Sequence, residues 1–336
     1  MILKATITAA SHYLPENIIS NREMEKFVDT SDEWIRSRTG IRQRHKVKNG
    51  EATSSMGIKV ANKILKKTKI SPTEIDVIIT ATITPDMLFP STASIIQKEI
   101  GAINAWAFDL NAACSGFLFS LETAQSLIES KKYNKILVIG GDTMSSIIDY
   151  NDRATCVLFG DGAGAILLEA SNENNGIMDS VLFTDGSGGE RLYMPGGGSL
   201  YPSSKKTIDS NFHYLKQDGR EVYKSAVRGM TEAAIEILKR NSLSAEDIKL
   251  FIPHQANKRI IEACSSRLGL NSDQVYVNID RFANTTGGTI PICISEATEN
   301  NLLKKGDLIL LAAFGAGFTW GATPVSYTHL TLPTKA

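Results

Sequence analysis

The sequence predicts an α/β chain made of two duplicated halves, with helices packed in layers on the sheets. Three observations carry that expectation. Short β-branched runs alternate with amphipathic helical stretches, which implies parallel sheets covered by helices. Two pairs of segments recur at nearly one offset: "KISPTEIDVIITATITPD" (69–86) resembles "NSLSAEDIKLFIPHQAN" (241–257), with 173 residues from Ile75 to Ile248, and "NKILVIGG" resembles "GDLILLAA", with 172 from Lys135 to Asp307. Turn-forming residues gather between the halves, in "SNENNG" and "TDGSGGE".

In chain order the buried strands are "DVIITATI" (76–83), "AWAFDL" (105–110), "NKILVIGGD" (134–142), "GAGAILLEA" (162–170), "KLFIPH" (249–254) and "GDLILLAAFGAG" (306–317). The first helix, "SSMGIKVANKILKKT", carries Met56, Val60 and Ile64 on one face. In "SGFLFSLETAQSLIESKK" the face is Phe117, Leu121 and Leu127 or Ile128, and in "REVYKSAVRGMTEAAIEILKRN" it is Val222, Ala226, Met230, Ala233, Ala234 and Ile237. The halves are expected at 1–175 and 176–324. The Gly-rich segment 186–202 reads as a surface loop, with a mobile lid as the alternative. Residues 325–336, "VSYTHLTLPTKA", match nothing before them and resemble the translation of a sequencing-library adapter, so they are expected to be a non-native tail outside the fold.

The 336 residues suffice for one large or two ordinary domains, and 42% apolar with 21% charged residues is ordinary for a globular protein. A formal net charge of zero argues against broad nucleic-acid binding, which needs a basic excess. The cysteines, Cys114, Cys156, Cys264 and Cys293, have no C-x-x-C spacing and no close His partner, so no metal site is expected. Their scatter fits a reducing cytosol. The start has no signal-type apolar stretch, and the longest apolar run, near "LILLAAFGAG", is too short to span a bilayer. The expectation is a cytoplasmic protein that binds neither membrane nor nucleic acid.

Open α/β sheets build their sites at the carboxyl ends of strands. Cys114 sits there, in "FDLNAACSGFLFSLETAQ", between the strand "AWAFDL" and a helix beginning near Ser115. Unpaired N–H groups and the dipole at that helix start favour a thiolate. Ala112, Ala113, Ser115 and Gly116 are small, so the turn is tight and a substrate has room to approach. His254 ends the buried run "LFIPH", and Asn284 lies in the polar loop "RFANTTGGTIP". The other histidines, His12, His45, His213 and His329, have no comparable setting. The bend in "FGAGFTWG" (314–321) can aim backbone N–H groups at an oxyanion. Read singly, each also fits a structural role: a packed core cysteine, a satisfied buried histidine, a turn asparagine, a plain hairpin. Read together, all at strand ends, they point to acyl chemistry at a cysteine.

"DTSDEWIRSRTGIRQRH", "AACSGF", "RATCVLFGDGAGA", "IPHQAN", "NTTGGTIP" and "FGAGFTWG", in this order, resemble the β-ketoacyl-[acyl-carrier-protein] synthase III family over residues 1 to about 323. The resemblance implies a thiolase-like fold with mixed sheets. It implies a decarboxylative Claisen condensation of an acyl-CoA with malonyl-acyl carrier protein, giving 3-oxoacyl-acyl carrier protein through an acyl-cysteine. Cys114 is then the acylated nucleophile, His254 and Asn284 hold the malonyl thioester carbonyl, and the amides of Cys114 and Ala316 form the oxyanion hole. Trp34 and Arg153 clasp the adenine of coenzyme A, Arg38 and Thr30 lie near its phosphates, and Asn257 lies beside the pantetheine. Phe89 reaches across a homodimer interface, and Phe89 and Phe314 line the acyl pocket. Lys224, Arg259 and Arg267, with Arg228, form a basic docking patch for the acidic carrier protein. No cofactor is permanently bound, and the coenzyme A thioester is substrate. Ala283, Gly287–Gly288 and Ala316 depart from residues frequent in the family, which leaves a ketosynthase or acyltransferase of secondary metabolism as the alternative.

Overall fold

The computed structural model describes residues 3–173 and 175–328. Ten strands form two five-stranded sheets. The first holds β1 (Lys4–Tyr13), β2 (Val77–Ala81), β3 (Trp106–Leu110), β4 (Lys135–Asp142) and β5 (Gly162–Ser171), in the spatial order β1-β5-β4-β2-β3. The second holds β6 (Gly176–Ile177), β7 (Val181–Thr184), β8 (Leu250–Pro253), β9 (Leu308–Gly315) and β10 (Thr319–Ser326). Its order is β8-β9-β10, with β6 and β7 pairing along different stretches of β10.

The sheets are mixed rather than parallel. β2 runs parallel to β3 and β4, but β5 is antiparallel to both β4 and β1. A parallel return needs a long crossover, usually a helix. The connection from β4 to β5 holds only a short 3-10 turn and the one-turn helix Arg153–Cys156, so the chain doubles back. β9 and β10 are antiparallel because only residues 316–318 separate them.

The helices that matter for the site are α1 (Asp32–Thr39), α2 (Thr53–Thr68), α3 (Gly116–Glu129), α4 (Gly219–Arg240), α5 (Lys258–Arg267), α6 (Ile279–Phe282) and α7 (Thr289–Glu299). α3 and α7 lie between the two sheets, sharing a core with Val77, Ile79, Ile136, Val138, Leu250, Ile252, Ile309 and Leu311. Both helices bury apolar residues on most of their circumference, as a central layer requires. Alternate strand residues face outward: Ile78, Leu137 and Ile139 pack against α2, while Phe251, Leu310 and Ala312 pack against α4 and α5. Five layers result, helix-sheet-helix-sheet-helix.

The strand pairing repeats. Val77 of β2 opposes Ile136 of β4, and Leu250 of β8 opposes Ile309 of β9; both members shift by 173 residues. The helices that follow, α3 from Gly116 and α7 from Thr289, keep the same shift.

Two sequence expectations need correction. β1 escaped the reading because Ala, Ser and Thr in "KATITAASHY" dilute its apolar signal, although it pairs with β5 along nearly its whole length at the sheet edge. Residues 325–328 belong to the fold rather than to a tail outside it. Leu308 needs Ser326 opposite it, Val325 pairs with Ile177, and Thr328 Oγ1 donates to the Ile7 carbonyl at 3.0 Å. Residues 329–336, with His329, lie outside the described residues. The Gly-rich segment forms a 3-10 turn (Gly186–Arg191) and a short strand (Leu192–Tyr193) and is tied by the Gly196 N–H to the Phe212 carbonyl at 2.8 Å.

Candidate active site

Cys114 lies in a single 3-10 turn, Ala113–Ser115, between the end of β3 and α3. Ala113 takes a left-handed backbone, φ 47°, and its N–H reaches the Asn111 side-chain oxygen at 3.3 Å. The turn is locked to the bend after β9. Ser115 Oγ lies 2.6 Å from Thr319 Oγ1, and Thr319 Oγ1 reaches the carbonyls of Ala112 at 2.9 Å and Ala316 at 3.0 Å. A Cβ on Gly315 would stand 2.7 Å from the Cys114 amide nitrogen, so only glycine fits there without a shift.

Cys114 is buried, 7% exposed, and lines two cavities. The larger, about 630 Å³, is also lined by His254 and Asn284. The smaller, about 420 Å³, is lined by Ala316 and by Met144, Ile147 and Leu215. Burial first, and then the charge of Asp142, push the thiol up to about 12. The thiolate expected from the helix start is therefore not the resting form; desolvation outweighs the helix end.

His254 follows β8, and its N–H bonds the Ala312 carbonyl of β9 at 2.8 Å. The imidazole is buried, which lowers it to about 3, so it rests neutral. Its Nδ1 lies 2.7 Å from Thr289 Oγ1 at the start of α7. That hydroxyl also lies 3.1 Å from the Thr286 carbonyl. Asn284 is clamped by its backbone, N–H to the Leu158 carbonyl and carbonyl to the Gly160 N–H, both at 3.0 Å. Its Oδ1 accepts from the Thr286 N–H at 2.8 Å, which leaves the NH2 end to face the cavity.

The rim of the larger cavity carries Arg38, Arg220, Lys224 and Arg259, with no Asp or Glu among its lining residues. Trp34 lines it too, and the Arg153 guanidinium lies over the Trp34 ring at 5.0 Å, leaving no room for a third ring between them. Asn257 lines the cavity while its Oδ1 accepts from the Arg259 N–H at 2.9 Å, capping α5, and its Nδ2 donates to the Arg38 carbonyl at 3.1 Å. Lys224 pairs with Glu221 at 2.9 Å, and Arg259 lies over the Tyr223 ring.

Other expected residues stand elsewhere. Thr30 is off the cavity wall, its buried hydroxyl without a partner among the described residues. Arg267 is exposed, about 12 Å further along α5 than Arg259 at 1.5 Å per residue. Arg228 lines a separate cavity with Asp185 and Glu232. Phe314 lines that cavity and the larger one, not the smaller one beside Cys114. Phe89 is 84% exposed and lines neither cavity at Cys114.

Sequence reasoning missed Arg220, four residues before Lys224 on α4, and the supports Asp142, Thr286 and Thr289. Asp142 is fully buried at the end of β4. Its Oδ1 accepts from Thr82 Oγ1 and the Ile83 N–H at 2.8 Å and from Thr84 Oγ1 at 2.9 Å. Its Oδ2 accepts from Thr286 Oγ1 and from the Gly287 N–H at 3.2 Å. Burial raises its carboxyl above the usual range. A carboxylate closing an otherwise apolar strand was the available signal.

A thiol, a neutral imidazole and a carboxamide around one cavity with a cationic rim define an acyl-transfer site of the cysteine type. The family profile described as 3-oxoacyl-[acyl-carrier-protein (ACP)] synthase III matches residues 108–186, and its C-terminal counterpart matches residues 238–327. The chain is 53% identical over 328 residues to the β-ketoacyl-[acyl-carrier-protein] synthase III of Chlorobium phaeobacteroides, covering 97% of this chain and all of that one. It is 52% identical to that of Koribacter versatilis, covering 96% and 97%. The crystal structure of the Aquifex aeolicus 3-oxoacyl-[acyl-carrier-protein] synthase III superposes with a TM-score of 0.89 at 41% identity, covering 97% of this chain and 100% of that one. The chain belongs to the β-ketoacyl-[acyl-carrier-protein] synthase III family, the thiolase-fold acyltransferases that initiate fatty acid synthesis by condensing an acyl-CoA with malonyl-acyl carrier protein.

Proposed function

We propose that Cys114 carries the acyl group in this reaction, and that His254 and Asn284 stabilise the enolate. The observation that carries the reading is the single cavity lined by all three. The Cys114 sulfur attacks the acyl-CoA carbonyl, its bond to carbon forms, the bond to the coenzyme A sulfur breaks, and the thiol proton leaves with coenzyme A. Because the thiol rests protonated, the proton must move as the bond forms. One thioester replaces another, so the exchange is nearly balanced. The amides of Cys114 and Ala316 receive the oxyanion; in support, both residues line the smaller cavity and Gly315 packs its bare backbone on the Cys114 amide.

Malonyl-acyl carrier protein enters next. Loss of carbon dioxide leaves an enolate, whose carbon attacks the acyl-Cys114 carbonyl. The sulfur departs and takes up a proton, releasing 3-oxoacyl-acyl carrier protein. The Asn284 NH2 and His254 Nε2–H donate to the enolate oxygen. Thr289 Oγ1 carries a single hydrogen, which the Thr286 carbonyl accepts at 3.1 Å; turning it to Nδ1, 2.7 Å away, places the imidazole proton on Nε2 for that donation.

The cationic rim suits the phosphates of coenzyme A and of the carrier arm. Trp34 and Arg153 part to admit the adenine, with Arg38 and Thr30 toward the phosphates and Asn257 beside the pantetheine. Lys224, Arg259 and Arg267 meet the acidic carrier protein. The active form is a homodimer. β3 is a sheet edge with exposed Trp106, and Leu88 and Phe89 stand 81% and 84% exposed, a combination that calls for a partner. Phe89 then fills the second copy's acyl pocket. The cytoplasm is the compartment: the four cysteines are free. Among the described residues, no helix is long and apolar enough to cross a membrane.

Half-reactions test the assignment. Asn284→Ala and His254→Ala are expected to acylate Cys114 from acyl-CoA but to lose decarboxylation of malonyl-acyl carrier protein by about 100-fold or more. Decarboxylation at the wild-type rate in either variant refutes its role.

A further inference from the structure

The Cys114 loop and the Asn284 loop are two copies of one device. "NAACSG" runs from Asn111 to Gly116 and "NTTGGT" from Asn284 to Thr289, 173 residues on. In each, the asparagine Oδ1 accepts from the N–H two residues later, Ala113 at 3.3 Å and Thr286 at 2.8 Å. That residue is left-handed, φ 47° at Ala113 and φ 50° at Thr286. It opens one 3-10 turn, Ala113–Ser115 or Thr286–Gly288, and a central helix follows.

The copies differ in what their amides meet. Gly287 matches Cys114, yet its N–H points at Asp142 Oδ2, which also accepts from Thr286 Oγ1. Asp142 itself, at the end of β4, matches Gly315 at the end of β9, which packs on the Cys114 amide. Each half's strand end therefore braces the other half's loop. In the second half a buried carboxylate fills the place that the acyl oxyanion takes in the first.

A left-handed backbone is unfavourable for a β-branched residue such as Thr286 and persists only where its surroundings hold it. The hydroxyl bond to Asp142 supplies that hold. Thr286 in turn fixes Asn284 through its N–H and meets Thr289, the partner of His254, through its carbonyl. We propose that Asp142 and Thr286 are positioning residues: the carboxylate, seated in the second half's counterpart of the oxyanion hole, holds Thr286 so that the Asn284 amide and the Thr289–His254 pair both aim at the enolate. This rests on the reading of His254 and Asn284 as the enolate donors.

The test compares Thr286→Ala with Thr286→Ser in the full chain. Alanine already occupies the matching position as Ala113 with the same backbone, so the first variant is suited to folding. Two rates are read: acylation of Cys114 by acetyl-CoA, followed by intact mass, and carbon dioxide release from malonyl-acyl carrier protein. Thr286→Ala is expected to slow decarboxylation by about tenfold or more while acylation stays within about twofold, and Thr286→Ser to restore decarboxylation to within about threefold. Thr289→Val, measured alongside, is expected to slow the same step alone. Unchanged decarboxylation in Thr286→Ala, equal loss in both reactions, or failure of serine to rescue overturns the proposal. Asn284→Ala separates the two readings. If it still decarboxylates at full rate, the donor assignment falls first; if it is inactive while Thr286→Ala is normal, only the positioning role falls.

Discussion

Gly315→Ala places one methyl group against the backbone of the Cys114 turn. The new Cβ would stand 2.7 Å from the Cys114 nitrogen, 3.0 Å from the Ser115 nitrogen and 3.2 Å from the Ala112 oxygen. All three are backbone atoms, so no side chain can swing aside. Gly315 pairs with Thr319 in the sheet, and Thr319 is bonded to Ala112, so the strand end and the cysteine turn must separate together. Overpacking of this kind costs about 1–3 kcal/mol of stability. The separation also displaces the Cys114 amide from Ala316. Loss of one oxyanion donor costs about 100- to 1000-fold in rate, so a partial displacement is expected to slow Cys114 acylation by at least roughly tenfold. Gly198→Ala is the control, because a Cβ there meets nothing within 4 Å. Denaturant unfolding gives the stability and stopped acylation reactions read by mass give the rate. If Gly315→Ala matches Gly198→Ala in both, the packing described here is wrong.

Other perturbations read other parts of the structure. Ala283 holds φ 58°, ψ −159°, a region that suits glycine. Relief of about 1–3 kcal/mol of strain, less about 0.5–1 kcal/mol for glycine's freer unfolded chain, predicts that Ala283→Gly raises unfolding free energy, and a destabilised variant contradicts the strain. His254 is lowered to about 3 from 6.5, so above pH 6.5 both states are neutral and it contributes no pH dependence. Between pH 6.5 and 3 the unfolded chain takes up a proton that the folded chain refuses, so stability falls with pH by up to about 1.4 kcal/mol per unit, roughly 5 kcal/mol in all. His254→Gln should flatten the acid limb relative to wild type; identical limbs would mean the imidazole is not buried. Arg267→Glu, off the cavity, should raise KM for malonyl-acyl carrier protein a few-fold and leave KM for acyl-CoA unchanged, and the reverse pattern would remove Arg267 from the docking patch.

Much of this was legible because each signal was local. The strands that read as continuous apolar runs were found within a residue or two, since buried strands need apolar side chains on both faces. The cysteine, histidine and asparagine stood out as reactive groups at strand ends. What escaped was carried by contacts far apart in sequence. Asp142 meets Thr286 across 144 residues, and although a carboxylate closing an apolar strand is visible locally, its partner is not. The resting state of Cys114 was misjudged for the same reason: the helix start is visible in the chain, whereas burial and a neighbouring carboxylate are properties of the assembled core. The antiparallel course of β5 depended on how little helix precedes it, a matter of lengths rather than of composition.

The most direct measurement is the mass of the protein after brief exposure to an acyl-CoA, with the modified peptide mapped. One acyl group on the peptide containing Cys114, absent in Cys114→Ser and removed by malonyl-acyl carrier protein as 3-oxoacyl product forms, is the predicted result. An acyl group on Cys156, Cys264 or Cys293, or turnover by Cys114→Ser at the wild-type rate, would contradict the account.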